Sequence, residues 1–140
     1  MRQPRRLVLT GNGLARDKRG AAIVEMALVL PLLLALLMGV LVYGQYFMLA
    51  HSVQQAANDG ARAAIVGLNA ADRRAVAARA VERSLAAVTG THSVAVSETS
   101  EAITVAVTFT APPDSFLRSA LVPSPTNVIR SRATFELPVD

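Results

Sequence analysis

The stretch Met26–Val42 reads MALVLPLLLALLMGVLV, and it lies within a longer run, Met26 to Asn58, that contains no Asp, Glu, Lys or Arg. A helix needs about 20 apolar residues to cross roughly 30 Å of hydrocarbon at about 1.5 Å per residue. The apolar run continues through Tyr43, Tyr46 and Phe47 to Ala50 and meets that length. A secretory h-region is shorter, about 7–15 residues, and ends at a small-x-small site. The present run is longer, and no convincing site of that kind follows it. A buried helix of a soluble domain is the remaining reading, and so long a charge-free helix is rare there. The residues therefore predict a membrane span over 21–50. Tyr43, Tyr46 and Phe47 are expected at its far boundary, where amphipathic rings favour the headgroup layer.

The charge distribution orients the span. Residues 1–20 hold Arg2, Arg5, Arg6, Arg16, Lys18 and Arg19 against the single acid Asp17. That net of +5 exceeds the chain total of +4, so everything after Gly20 sums to −1. A basic tail directly before an apolar run marks the cytoplasmic side, which places the C-terminus outside. No basic stripe with interleaved aromatics occurs elsewhere, which argues against nucleic acid as a partner. The chain has no cysteine, excluding disulfides, thiolate metal sites and Cys nucleophiles. With 140 residues there is room for one domain at most. The expected organisation is a basic leader over 1–20, the span over 21–50, a helix extension over 51–66 and an exposed α+β domain over 67–140. An exposed part of roughly 85–90 residues has marginal stability alone, so help from partners is expected.

Two residues in the apolar stretch stand out. Pro31 lacks a backbone donor and clashes with the carbonyl one turn earlier, so a kink is expected near Leu28. Glu25 is an acid at the edge of the bilayer, where a charge is costly and calls for a partner. Its residue type alone supports two readings. An acid near a helix N-terminus is favoured by the macrodipole and could be neutralised by Arg19, or it could serve a neighbouring molecule.

The segment Arg19-Gly20-Ala21-Ala22-Ile23-Val24-Glu25-Met26-Ala27-Leu28-Val29-Leu30-Pro31 resembles the N-terminal signature of the TadE-like family. These are small proteins encoded with the machinery of tight-adherence (Flp) type IV pili. A second block, Gln54-Gln55-Ala56-Ala57-Asn58-Asp59-Gly60-Ala61-Arg62-Ala63-Ala64, is similar to the Ala-rich stretch that follows the span in that family. Together the blocks cover about residues 19–66.

The resemblance implies a type IV prepilin leader, cut by prepilin peptidase between Gly20 and Ala21, with Glu25 as the fifth mature residue. In such assemblies the acid of one subunit neutralises the new α-amine of its neighbour, which would make Glu25 a subunit-registration residue. A charge pair is far stronger in a low dielectric than in water, and leaving one member alone is costly. Major Flp pilins carry an aromatic after the Glu where this chain has Met26, and they are little more than the helix. Both departures point to a minor pseudopilin or assembly component. The implied partners are the membrane, prepilin peptidase, other pilin-like subunits and the pilus assembly machinery, with no cofactor and no small-molecule substrate.

Beyond the span, Tyr46, Leu49, Val53, Ala56, Gly60 and Ala64 recur at helical spacing, with small residues that admit a close neighbour. Gly67 is the expected stop. Asp59 and Arg62 are spaced for a local surface pair. A second helix is expected from about Ala70 to Val88, capped by Asn69, with Asp72 in its first turn and Ala77, Val81, Leu85 and Val88 as its apolar stripe. Arg73, Arg74, Arg79, Glu82 and Arg83 are expected on a solvated face, and Gly90 is expected to end the helix.

The period then falls to two. Val94 and Val96 begin a short strand, and Glu98 to Glu101 form a turn. Ile103, Val105, Val107 and Phe109 alternate with Thr104, Ala106, Thr108 and Thr110 in a half-buried strand. Ala111-Pro112-Pro113-Asp114 breaks it. Phe116, Leu117, Leu121 and Val122 fall in a connection closed by Pro123 and Pro125. The last strand sets Ile129, Ala133, Phe135 and Leu137 against Arg130, Arg132, Thr134 and Glu136. Three antiparallel strands on a helix make a pilin-like α+β domain.

No catalytic constellation emerges, and an enzyme is not expected. His51 falls near the far membrane boundary and His92 in a helix–strand connection, neither with clustered acids. Ser115 and Ser119 have no base nearby in sequence. Gly11-Asn12-Gly13 follows no strand and is not a phosphate loop. Two further readings remain at this stage: an uncleaved single-pass envelope protein whose outer domain binds a secretion partner, and a membrane-tethered hydrolase.

Overall fold

A computed structural model describes residues 13–115, 122–123 and 125–137, with the backbone alone at residues 13–17 and 19. Five elements follow one another: α1 (Gly13–Ala64), α2 (Ala70–Leu85), β1 (Thr91–Glu98), β2 (Ala102–Thr110) and β3 (Val128–Glu136). This is the expected α+β layout of a long apolar helix, one further helix and a three-stranded antiparallel sheet. The chain divides into two compact units, Met1–Met38 and Gly39–Asp140, and α1 contributes to both.

In the first unit, α1 buries no face. Ile23, Val24, Met26 and Leu32 point in different directions around it, and each is more than 60% exposed. A helix that is apolar all round needs an apolar solvent.

The second unit is built on the small-residue face of α1. Val53, Ala56, Ala57, Ala61 and Ala64 are buried there, with Tyr46 and Leu49 packed against the cluster. Gly60 sits at the closest approach. A Cβ added to it would lie 2.8 Å from Val81 Cγ2 on α2 and 3.2 Å from Val105 Cγ1 on β2. The missing side chain therefore lets one backbone meet helix and sheet together.

α2 starts where its sequence says it should. Asn69 is the N-cap, its Oδ1 accepting from the Asp72 N–H at 2.9 Å, while Asp72 Oδ2 accepts from the Leu68 N–H at 3.0 Å. Asn69 thus satisfies one orphan donor of the helix, and Asp72 reaches back to the N–H just before the cap, in a variant of the capping box. Ala77, Ala80, Val81 and Leu85 form its buried stripe.

The sheet is a meander of order β1-β2-β3, antiparallel throughout. Ile103, Val105, Val107 and Phe109 are fully buried, and their alternation with half-buried neighbours follows the pleat. Ile129 and Ala133 of β3 join them from one side, and Val94 and Val96 of β1 pack from the other. On the outer face, Thr104 and Thr134 share a hydrogen bond of 2.8 Å between cross-strand partners. Gly90 enters β1 at φ 156°, with the Phe109 ring where a Cβ would stand.

Several expectations are corrected. α1 ends at Ala64 rather than residue 66, with the Gly67 N–H bonded to the Ala64 carbonyl at 3.1 Å. α2 ends at Leu85 rather than Val88, because the Ala86 N–H turns back to the Arg83 carbonyl and tightens the last turn. Val88 still packs on the core, from the turn that follows. β1 begins at Thr91, so His92 lies in a strand and not in a connection. Asp59 does not pair with Arg62; its carboxylate accepts from Ser84 Oγ of α2 at 2.8 Å. Arg73 is not merely solvated. Its Nε donates to the Gly67 carbonyl at 3.2 Å, and its guanidinium pairs with Glu98 at the end of β1. Phe116, Leu117, Ser119 and Leu121 lie outside the described residues.

Substituting Gly60→Val tests this packing. The branched side chain must displace Val81 or Val105, and overpacking of this kind costs about 1–3 kcal/mol. Thermal unfolding of the full chain in detergent should show the midpoint fall, with the monomer otherwise helical by circular dichroism.

Candidate functional site

The residues singled out for processing and assembly lie on the first part of α1. Gly20 is inside the helix, exposed, with nothing within 4 Å of where a Cβ would stand. A glycine in a helix interior weakens it by roughly 1 kcal/mol relative to alanine. The Gly20–Ala21 bond is therefore exposed and sits at a locally weakened point of the helix. Ala21 and Glu25 are also exposed.

Helix geometry bears on the partner of Glu25. Ala21 is four residues earlier, about 40° away around the axis and one turn below. Arg19 is six residues earlier, about 120° around the axis and roughly 9 Å along it. Its side chain is outside what the structure describes. Pro31 is exposed within an uninterrupted α1. It withdraws the donor that would otherwise meet the Ala27 carbonyl.

The far end of the apolar run carries the expected rings. Tyr46 and Phe47 stack edge to face with centroids 5.8 Å apart, and Phe47 is 66% exposed. Tyr43 Oη donates to the Pro123 carbonyl at 3.3 Å, and Gly39 lies against Val122. Val42, between them on α1, is fully buried. Residues 122 and 123 of the β2–β3 connection thus return to α1 beside Gly39 and Tyr43, which spacing alone does not reveal. Gln54 makes a second unforeseen tie, its amide donating to the Arg132 carbonyl of β3 at 3.3 Å.

An open cavity of about 390 Å³ in this unit is lined by Gln45, Met48, Leu49, Ser52, Ala87, Val88, Thr89, Ala111, Pro112 and Ser115. None of these carries a titratable group, so it offers no residue to move a proton or hold an oxyanion as a cation would. Ser115 Oγ is buried there without a partner among the described residues. His51 is exposed on α1 and His92 is exposed on β1, in separate elements.

One comparison bears on the reading of the helix. Residues 20–62 match the family model described as TadE-like protein. The matched stretch begins at Gly20, crosses the apolar run and ends on the buried Ala/Gly face at Arg62, so it covers both blocks on which the resemblance rests. No curated protein and no solved structure matches the chain. Within α1, an 18-residue window reaches a mean hydropathy of 2.6 with 6% of it buried, long and apolar enough to cross a membrane once.

Leu34, at the centre of the apolar run, provides the direct check. Leu34→Arg puts a cation at the bilayer midplane, at a cost of about 2.5–3.5 kcal/mol on the insertion scale. Carbonate extraction of membranes should release a substantial fraction of the variant, whereas the parent chain stays in the pellet.

Proposed function

We propose that the protein is a non-enzymatic minor pseudopilin or assembly component of a tight-adherence pilus. It is held in the inner membrane by one span, with its basic tail in the cytoplasm and its α+β domain outside. The observation that carries this reading is the family match over residues 20–62, which falls on a membrane-length helix and begins at Gly20.

The mechanism follows from the helix. Prepilin peptidase unwinds α1 locally at Gly20 and cuts the Gly20–Ala21 bond, removing the six cations of the leader that would hold the tail in the cytoplasm. The cut leaves an ammonium on Ala21 beside hydrocarbon. Glu25 is one turn above it, so the same carboxylate can hold that amine before assembly and a neighbour's amine after it. An uncompensated charge in that setting is costly, so subunits register where acid meets amine. Pro31, one and a half turns beyond Glu25, sets a bend at which adjacent helices match. The work is done by helix packing, first in the membrane and then in the fibre or its initiation complex, and not by chemistry on a small molecule.

The deciding measurement is the N-terminal sequence and mass of the chain from cells with and without their prepilin peptidase, together with Gly20→Leu. The expected mature chain begins at Ala21 and is absent in both controls. An intact Met1 tail in every sample would overturn the pseudopilin mechanism and leave a single-pass envelope protein.

A further inference from the structure

We propose that the β2–β3 connection is a second membrane contact, in which Val122 and Pro123 rest against α1 at the acyl–headgroup boundary of the far leaflet. The outer domain then stands on the lipid surface as well as continuing from the span. This inference rests on α1 crossing the membrane and does not depend on the leader being cut.

The depth of Gly39 follows from counting. About 20 residues of helix cross the hydrocarbon. Counted from Ala21 the crossing ends near Val40, and counted from Met26, past the costly Glu25, it ends near Gln45. Tilt lengthens the crossing and carries its end further along the chain. Each of these settings leaves Gly39 within the hydrocarbon or at its edge. Val122 Cγ1 lies 4.0 Å from the point where a Cβ on Gly39 would stand, and Tyr43 Oη donates to the Pro123 carbonyl at 3.3 Å. On this stretch of α1, Gly39 and Tyr46 are half-buried and Val42 is fully buried, whereas Val40 and Leu41 stay exposed. A connection that belongs to the outer domain therefore reaches the level of the lipid.

The chemistry of the connection suits that depth. Irregular backbone is tolerated near hydrocarbon only where its polar groups are satisfied. Pro123 and Pro125 carry no N–H, and the Pro123 carbonyl has the Tyr43 hydroxyl as its donor. Val122 is half-buried and Pro123 is exposed, so apolar surface remains for acyl chains to cover. Between Asp114 and Arg130 the sequence holds a single charge, Arg118, and no acid. Anionic headgroups attract cations and repel carboxylates, and no carboxylate is present to be repelled. Continuity fixes the occupant as lipid. Val40 and Leu41, at the same level of α1, are exposed apolar side chains of the span itself, so the surroundings of Val122 are those of the span.

Because the chain has no cysteine, single sites can be labelled in the full chain. The probe is an NBD fluorophore on V122C, with the chain in phosphatidylcholine–phosphatidylglycerol vesicles, with or without phosphatidylcholine bearing a nitroxide on its acyl chain. F47C, exposed near the end of the apolar run, and S97C, exposed on β1, serve as the membrane and aqueous references. P123C repeats the reading one residue on, so a poorly folding V122C does not leave the question open. Nitroxide lipid should quench the label at 122 at least as strongly as the label at 47, and leave the label at 97 unchanged. Aqueous iodide should quench the label at 97 and spare the other two. A label at 122 that iodide reaches as freely as at 97 would overturn the proposal. So would a label shielded from both quenchers, which marks a cover of protein rather than lipid. Loss of nitroxide quenching at 47 as well would remove the span itself and the proposal with it, whereas an uncut leader would leave every reading as expected.

Discussion

At Gly60 the α1 backbone comes within side-chain contact of Val81 on α2 and Val105 on β2, and no residue larger than glycine leaves room for both. The rest of the second unit is arranged around that approach. The buried cluster is made of Ala, Val, Ile, one Leu and one fully buried Phe, so the layers are thin and depend on close backbones rather than on large side chains. Little apolar area is available per residue, and stability comes from fitting small groups without voids. Polar ties compensate at the margins. Asp59 holds Ser84, Gln54 holds the Arg132 carbonyl, and Arg73 joins the α1–α2 turn to the end of β1.

The same helix meets a different requirement earlier in the chain. From Met26 to Leu34 its side chains are apolar and exposed on every side, and beyond Tyr46 they become Ala-rich and buried on one face. The change in composition marks a change of solvent, from lipid to protein. Between them, Tyr43 binds the Pro123 carbonyl, which lets a connecting segment approach the helix at the level where amphipathic rings settle.

What the sequence made legible divides along physical lines. The period of two in Ile103–Thr110 and the Asn69–Asp72 cap are local patterns, and both appear as read. The ties of Arg73 to Glu98 and Asp59 to Ser84 join residues 25 apart, so no local rule exposes them. A surface arginine and a structural one have the same spacing until the strand beside them is placed. α2 stopped short of Val88 because a tightened turn reaches the core as well as another helical turn would. At the candidate site the motif itself was legible in Gly20, Glu25 and Pro31, but its chemistry was not. The peptidase and the neighbouring amine that would give those residues their roles belong to other molecules, and a single chain cannot display them.

A polar fibre grows through head-to-tail contacts, in which one patch meets a different patch and the operation repeats. The proposed contact between Glu25 and a neighbour's Ala21 amine would be of that kind, with an acid on one copy and an amine on the next as its two unlike patches. Because the two groups lie one turn apart on α1, such a contact would fix the axial offset between neighbouring helices to about a turn. The small-residue face of α1 beyond Tyr46 is already occupied by α2 and the sheet, so that register would have to be set by the exposed part of the helix before it.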